Sequence, residues 1–154
     1  MDAERIMTNS PTKNPQFAYA DVTADPESAT RLRKHLATWL EDDVPEAHDR
    51  ADGITLAVYE ALANAVEHAY VHLAGPGTMN VSAVYHRHAN LLSVTVQDHG
   101  RWQEVKATSA AGLRGRGIPL MQALSDHPRI NPTAFGTTVI LEWNLGRDPQ
   151  PDGD

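Results

Sequence analysis

Apolar side chains recur at every second position in two runs of the sequence: Met79, Val81, Ala83 and Tyr85, then Leu92, Val94 and Val96, with His-Arg-His-Ala-Asn at 86–90 between them. A period of two lines one face of a strand, so the runs predict an antiparallel hairpin whose apolar face needs covering. Two segments upstream are suited to cover it. In "ADPESATRLRKHLATWLED", Asp25 is placed to cap a helix, Pro26 fits its first position, and Leu32, Leu36, Trp39 and Leu40 share one face. After a turn at Asp43 to Pro45, residues 47–70 again show helical spacing, with Ile54, Val58, Ala61, Leu62, Ala65 and Ala69 as the apolar face, and "AGPG" at 74–77 ends the run. Phe17 to Val22 reads as a first strand, Val139, Leu141 and Trp143 mark a last one, and a short helix with Ile118, Met121 and Leu124 inward follows a polar loop from Gly100 to Gly117. The order strand, helix, helix, two strands, loop, helix, strand predicts an α+β two-layer sandwich, a mostly antiparallel mixed sheet with helices on one face.

Composition narrows the classes further. A chain of 154 residues with 41% hydrophobic content suits one domain with a single core. That domain is expected over 17–145, between a flexible extension at 1–16, which carries Ser10-Pro11 and Asn14-Pro15, and a Pro- and Asp-rich tail at 146–154. A formal charge of -7 argues against direct nucleic-acid binding, since neutralising phosphates takes a basic surface. The absence of cysteine removes disulfide frameworks and thiolate metal sites. The opening "MDAERIMTNSPTKNPQ" has no basic segment followed by a long apolar run, and no later window approaches the ~20 apolar residues of a membrane span, so a cytoplasmic protein with no membrane partner is the expectation.

Four stretches carry chemistry. In "YEALANAVEHAY", Glu60, Asn64 and His68 stand four residues apart and therefore in one line on the second helix. Taken alone, that line is also what any amphipathic helix turns towards water. In "SVTVQDHG", Asp98 ends a strand and Gly100 follows; a carboxylate there accepts from an exocyclic amine, though Asp-x-Gly turns are common. In "AGLRGRGIPLMQAL", Gly112, Gly115 and Gly117 come just before a helix, where free backbone amides make an anion site, and Arg114 and Arg116 add charge; a plain linker is the competing reading. No Gly-Lys-Ser/Thr and no Gly-x-Gly-x-x-Gly is present, which excludes a P-loop and a Rossmann fingerprint. In "FGTTVILEW", Thr137 and Thr138 open the last strand, either as ordinary strand formers or as hydroxyls beside Asp98. His68 and His72 have the spacing to share a zinc ion, but no third ligand is apparent.

In this order and at these separations, the four stretches resemble the Bergerat-fold (GHKL) ATPases: gyrase, heat-shock chaperones, mismatch-repair proteins and histidine kinases. Glu60-x-x-x-Asn64-Ala-x-x-His68-Ala-Tyr70 with Gly115-Arg116-Gly117 is more narrowly similar to the bacterial anti-sigma-factor serine/threonine kinases, the RsbW-like group, over about Phe17 to Trp143. The resemblance implies ATP and Mg²⁺ as cofactors. It implies Asn64 as the oxygen ligand of the metal, Glu60 as general base on a protein hydroxyl, and Asp98 with Thr137 on the adenine edge. It also implies that His68, Gly100, Arg114, Gly115, Arg116 and Gly117 join the ATP site, with Arg101 to Arg114 as a lid. The partners implied are a sigma factor and an anti-anti-sigma factor with a STAS domain, and relatives are commonly homodimers, for which the first strand or first helix could serve.

Two departures keep a second reading open, a module of the same fold that holds nucleotide, or none, and sequesters a partner without transferring phosphate. The stretch after Asp98 reads His99-Gly100-Arg101-Trp102 without the further small residue often found there, and the lid is short. The catalytic half of a histidine kinase fits less well, because no helical-hairpin phosphoacceptor domain is seen in these residues, and gyrase-like chemistry needs a longer chain.

Overall fold

Asp25 starts the first helix as its position predicts. Its carboxylate accepts a hydrogen bond of 2.8 Å from the backbone N–H of Ser28, Pro26 occupies the first turn, and α1 runs Pro26–Asp43. The structure, a computed structural model, describes residues 14–71, 77–99, 117–133 and 136–146. The helix expected over 47–70 is divided. A 3-10 helix spans Pro45–Arg50, opened by Pro45 and tightened by a bond from the Ala47 N–H to the Val44 carbonyl, and α2 continues from it over Ala51–Val71. Ala51 has α-helical dihedrals, so the chain passes from one to the other without a break. A short helix, α3, spans Gly117–Leu124.

The strands are β1 Gln16–Thr23, β2 Thr78–His86, β3 Leu91–Asp98, β4 Arg129–Thr133 and β5 Gly136–Asn144, in the sheet order β1-β2-β3-β5-β4. Every pairing among the described residues is antiparallel, in line with the mostly antiparallel sheet expected from the order of elements. The predicted hairpin is β2 and β3, with Tyr85 opposite Leu92 and Val81 opposite Val96. Its turn ends on Asn90 at φ 53, a left-handed conformation that asparagine tolerates better than most residues. β1 is an edge strand broken by a register shift between Tyr19 and Val22, where Asp21 sits at φ 54 and its N–H is taken by the Asn80 side chain at 2.7 Å. Such an irregularity makes an edge a poor template for further pairing. β4, the other edge, is not among the elements the sequence predicts: in Arg-Ile-Asn-Pro-Thr only Ile130 is packed against the core, so there is no alternation to find.

The apolar rows form one core. Met79, Val81, Tyr85, Leu92, Val94, Val96, Leu141 and Trp143 are buried against Leu32, Leu36, Trp39 and Leu40 of α1 and Ile54, Val58, Ala61 and Leu62 of α2. Each large aliphatic or aromatic side chain among them stabilises the fold by roughly 1.5–3 kcal/mol relative to exposure. Away from the core, the end of α3 is tied to the end of β5. The Trp143 indole N–H donates to the Leu124 carbonyl at 2.6 Å, and the backbone N–H groups of Asp126 and His127 donate to the Glu142 carbonyl. The Asp126 carboxylate accepts from the Asn144 N–H at 2.8 Å and takes both Arg50 guanidinium nitrogens, at 3.1 and 3.2 Å.

Two carboxyls are held below their ordinary value of 3.8. For Asp25 the hydrogen bonds to Ser28, first side chain and then backbone, outweigh a small burial effect. For Asp126 burial pushes the value up, but the Arg50 hydrogen bond, the Asn144 N–H and the Arg50 and His127 charges together lower it. A lowered folded-state value means the stabilisation is fully present above the unfolded-state value and is lost as pH falls through the folded-state one. Asp25→Ala is expected to cost about 1 kcal/mol in urea unfolding at pH 7, with the gap to wild type closing as pH falls below about 4. A gap unchanged between pH 7 and pH 2.5 (roughly the span of carboxyl titration) refutes the assignment of the cap to the ionised carboxylate.

Candidate functional site

The two central strands β3 and β5 meet at Asp98 and Gly136. Asp98 is buried, and its Oδ1 accepts the backbone N–H of Thr137 at 3.2 Å. Gly136 has φ 149, and a Cβ there would overlap the Asp98 carbonyl oxygen and lie 3.1 Å from the Cα of His99. A side chain at 136 would therefore push β5 off the end of β3; glycine alone allows the approach that puts Thr137 beside the carboxylate. In the sequence Gly136 is indistinguishable from a turn glycine, and nothing short of the strand pairing shows which backbone it must pass.

Thr137 is 3% exposed, and its side-chain oxygen has no hydrogen-bond partner among the described residues. An unpaired buried hydroxyl costs roughly 1–3 kcal/mol, and native structures rarely leave one without a use. Next to it stands a carboxylate, which when ionised only accepts, whereas the hydroxyl both donates and accepts. The pair suits a ligand edge with an amino donor next to a ring nitrogen, which is the Watson–Crick edge of adenine. On the other side of the pair, Gln97 donates to the Thr138 hydroxyl at 3.4 Å, and His99 Nδ1 lies 3.0 Å from the Thr78 hydroxyl. Neither contact had a signature in the sequence.

α2 lies over β3 and touches β2 and β5. Its buried stripe includes Ala57, Ala61 and Ala65, each no more than 2% exposed, and Glu60 and Asn64 stand one residue away on its border, half-buried and open to solvent. Spacing by four keeps the two side chains on one face. Glu60 and Asn64 thus share α2, and Asp98 and Thr137 share the ends of the strands in the sheet that α2 covers. Gly117 opens α3, which packs on α2. Gly100, Arg114, Gly115, Arg116 and the expected lid lie outside the described residues, as do the side chain of His68 and the whole of His72, and with them the zinc alternative. Among the described residues no group of three His, Asp or Glu side chains is arranged to hold a metal, and no described helix is long and apolar enough to cross a membrane.

The family model for the histidine kinase-like ATPase domain matches residues 22–143. Among solved structures, the chain is similar to the RsbU and RsbW domains of Rv1364c from Mycobacterium tuberculosis, with a TM-score of 0.67 and 26% identity, over 91% of this chain. It spans 35% of that longer chain.

Because the Thr137 hydroxyl is buried with no partner among the described residues, Thr137→Val is expected to leave unfolding stability unchanged or raise it by up to about 1 kcal/mol. Adenosine binding by the same variant should fall. Destabilisation beyond about 1 kcal/mol in urea unfolding would mean that the hydroxyl has a structural partner after all.

Proposed function

We propose that this chain, which belongs to the histidine kinase-like ATPase domain family, is an anti-sigma factor and an ATP-dependent serine/threonine protein kinase. Its substrate in this reading is an anti-anti-sigma partner with a STAS domain, and its second partner is a sigma factor. The observation that carries the nucleotide reading is the buried Asp98 carboxylate bound to the backbone N–H of Thr137, whose own buried hydroxyl has no partner among the described residues. The likeness to a protein with an RsbW domain supports the narrower reading.

In this proposal Asp98 and Thr137 hold the adenine, while Gly100, Gly115 and Gly117 offer backbone amides to the phosphates and Arg114 and Arg116 add positive charge. His68 lines the same site. Asn64 offers its side-chain oxygen to Mg²⁺, a hard cation that prefers oxygen ligands. Bound Mg-ATP supplies a transferable phosphoryl group with its charge partly neutralised. Glu60, one turn from Asn64 on the same helix, accepts the proton of the serine or threonine hydroxyl and aligns it, which contributes positioning and general-base assistance. Partner choice follows from charge. An unphosphorylated partner captures this protein and frees the sigma factor, and phosphorylation reverses that by adding negative charge at the interface. The proposal places the protein in the cytoplasm as a homodimer joined through β1 or α1.

Calorimetric titration with Mg-ATP tests this reading. Wild type is expected to bind saturably and only with Mg²⁺, and Asn64→Ala to bind about tenfold or more weakly. Glu60→Gln should keep ATP affinity within about twofold yet lose on the order of 10²–10⁴ in phosphoryl transfer to the partner. No binding by folded wild-type protein ends the nucleotide reading. Binding with unchanged transfer in Glu60→Gln removes Glu60 as the base.

A further inference from the structure

Arg50, Asp126 and Asn144 come from positions far apart in the chain and meet where three elements have their ends: Arg50 immediately before α2, Asp126 just after α3, Asn144 at the close of β5. The Arg50 guanidinium makes a two-pronged contact with Asp126, at 3.1 and 3.2 Å, and also donates to the Asn144 carbonyl at 3.3 Å. Asp126 in turn accepts the Asn144 N–H at 2.8 Å, so one carboxylate and one guanidinium bracket both backbone groups of the strand end. A planar fork matched to a carboxylate restricts orientation as well as distance.

Stability alone does not account for the arrangement. The two side chains are 41% and 31% exposed, and ion pairs so open to water add little to folding. Among the described residues α3 has few other anchors. Met121 is fully buried, Leu124 packs partly buried, and its Cδ2 lies 3.7 Å from where a Gly53 side chain would begin. All its described polar ties, from Trp143, Ser125 and Asp126, are at its C-terminal end.

We propose that the Arg50–Asp126–Asn144 junction positions α3 against α2, so that the Gly117 end of α3 and the Asn64 carboxamide face the same phosphates. The proposal rests on the nucleotide reading above. α3 is about 12 Å long, so a tilt of about 10° at the junction moves its far end by about 2 Å. Displacements of that size are costly where donors must meet a fixed ligand. Arg50 and Asp126 touch no nucleotide in this account and are positioning residues. Asp98 and Thr137 are on β3 and β5, so the junction affects phosphate binding and leaves the adenine edge alone.

Arg50→Met and Asp126→Ala test this in the full chain by two measurements. Hydrogen exchange without nucleotide should be faster at the α3 amides of both variants and unchanged in α1; unaltered α3 exchange overturns the proposal whatever the protein binds. Calorimetry should then show adenosine affinity within about twofold of wild type while Mg-ATP affinity falls about tenfold, with Arg50→Lys restoring part of the loss. Equal losses for adenosine and Mg-ATP, or none for either, overturn it. Failure of wild type itself to bind Mg-ATP counts against the nucleotide reading, and hence against the phosphate-aligning role, separately from the exchange result on α3.

Discussion

The close approach of α2 to β3 governs the rest of the structure. Ala57, Ala61 and Ala65, spaced by four and essentially inaccessible, give the helix a buried ridge of small side chains, against which its neighbours can pack closely. Leu62, Val58 and Ile54 fill the space on the neighbouring stripe. Glu60 and Asn64 each stand next to one of these alanines, so the depth at which the ridge seats also sets the height of the polar pair above the strands. A larger side chain in the ridge would lift the helix and carry the pair with it.

The strand end imposes a second, independent constraint. Gly136 lets β5 pass against the carbonyl of Asp98, and the same approach buries Thr137 next to a carboxylate. Folding leaves the Thr137 hydroxyl without a partner among the described residues, an unfavourable term in the stability of the sheet. Both residues fall within the stretch matched by the histidine kinase-like ATPase domain model, residues 22–143.

Much of this was legible in the residues. Asp25 and Pro26 mark the start of α1, and the alternating rows of β2, β3 and β5 are buried as read. The expectation that Glu60, Asn64, Asp98 and Thr137 belong to one site comes from spacing and order, which can be read along the chain. β4 escaped because an edge strand that buries only Ile130 in part has no period, and Pro132 further disguises it. The 3-10 start of the second helical segment escaped too, since Pro45 and Ala47 suit either kind of helix.

What the sequence determined by itself is the set of elements and which face of each is apolar, because periodicity, capping and chain stiffness act over a few residues. What only the tertiary structure decided are relations between distant residues: that Gly136 must be bare because Asp98 passes it, that the Thr137 hydroxyl is buried with no partner among the described residues, and that Arg50 meets Asp126 across 76 positions. Burial and close approach are properties of the assembled layers, and a hydrogen bond depends on tenths of an ångström that no spacing along the chain encodes.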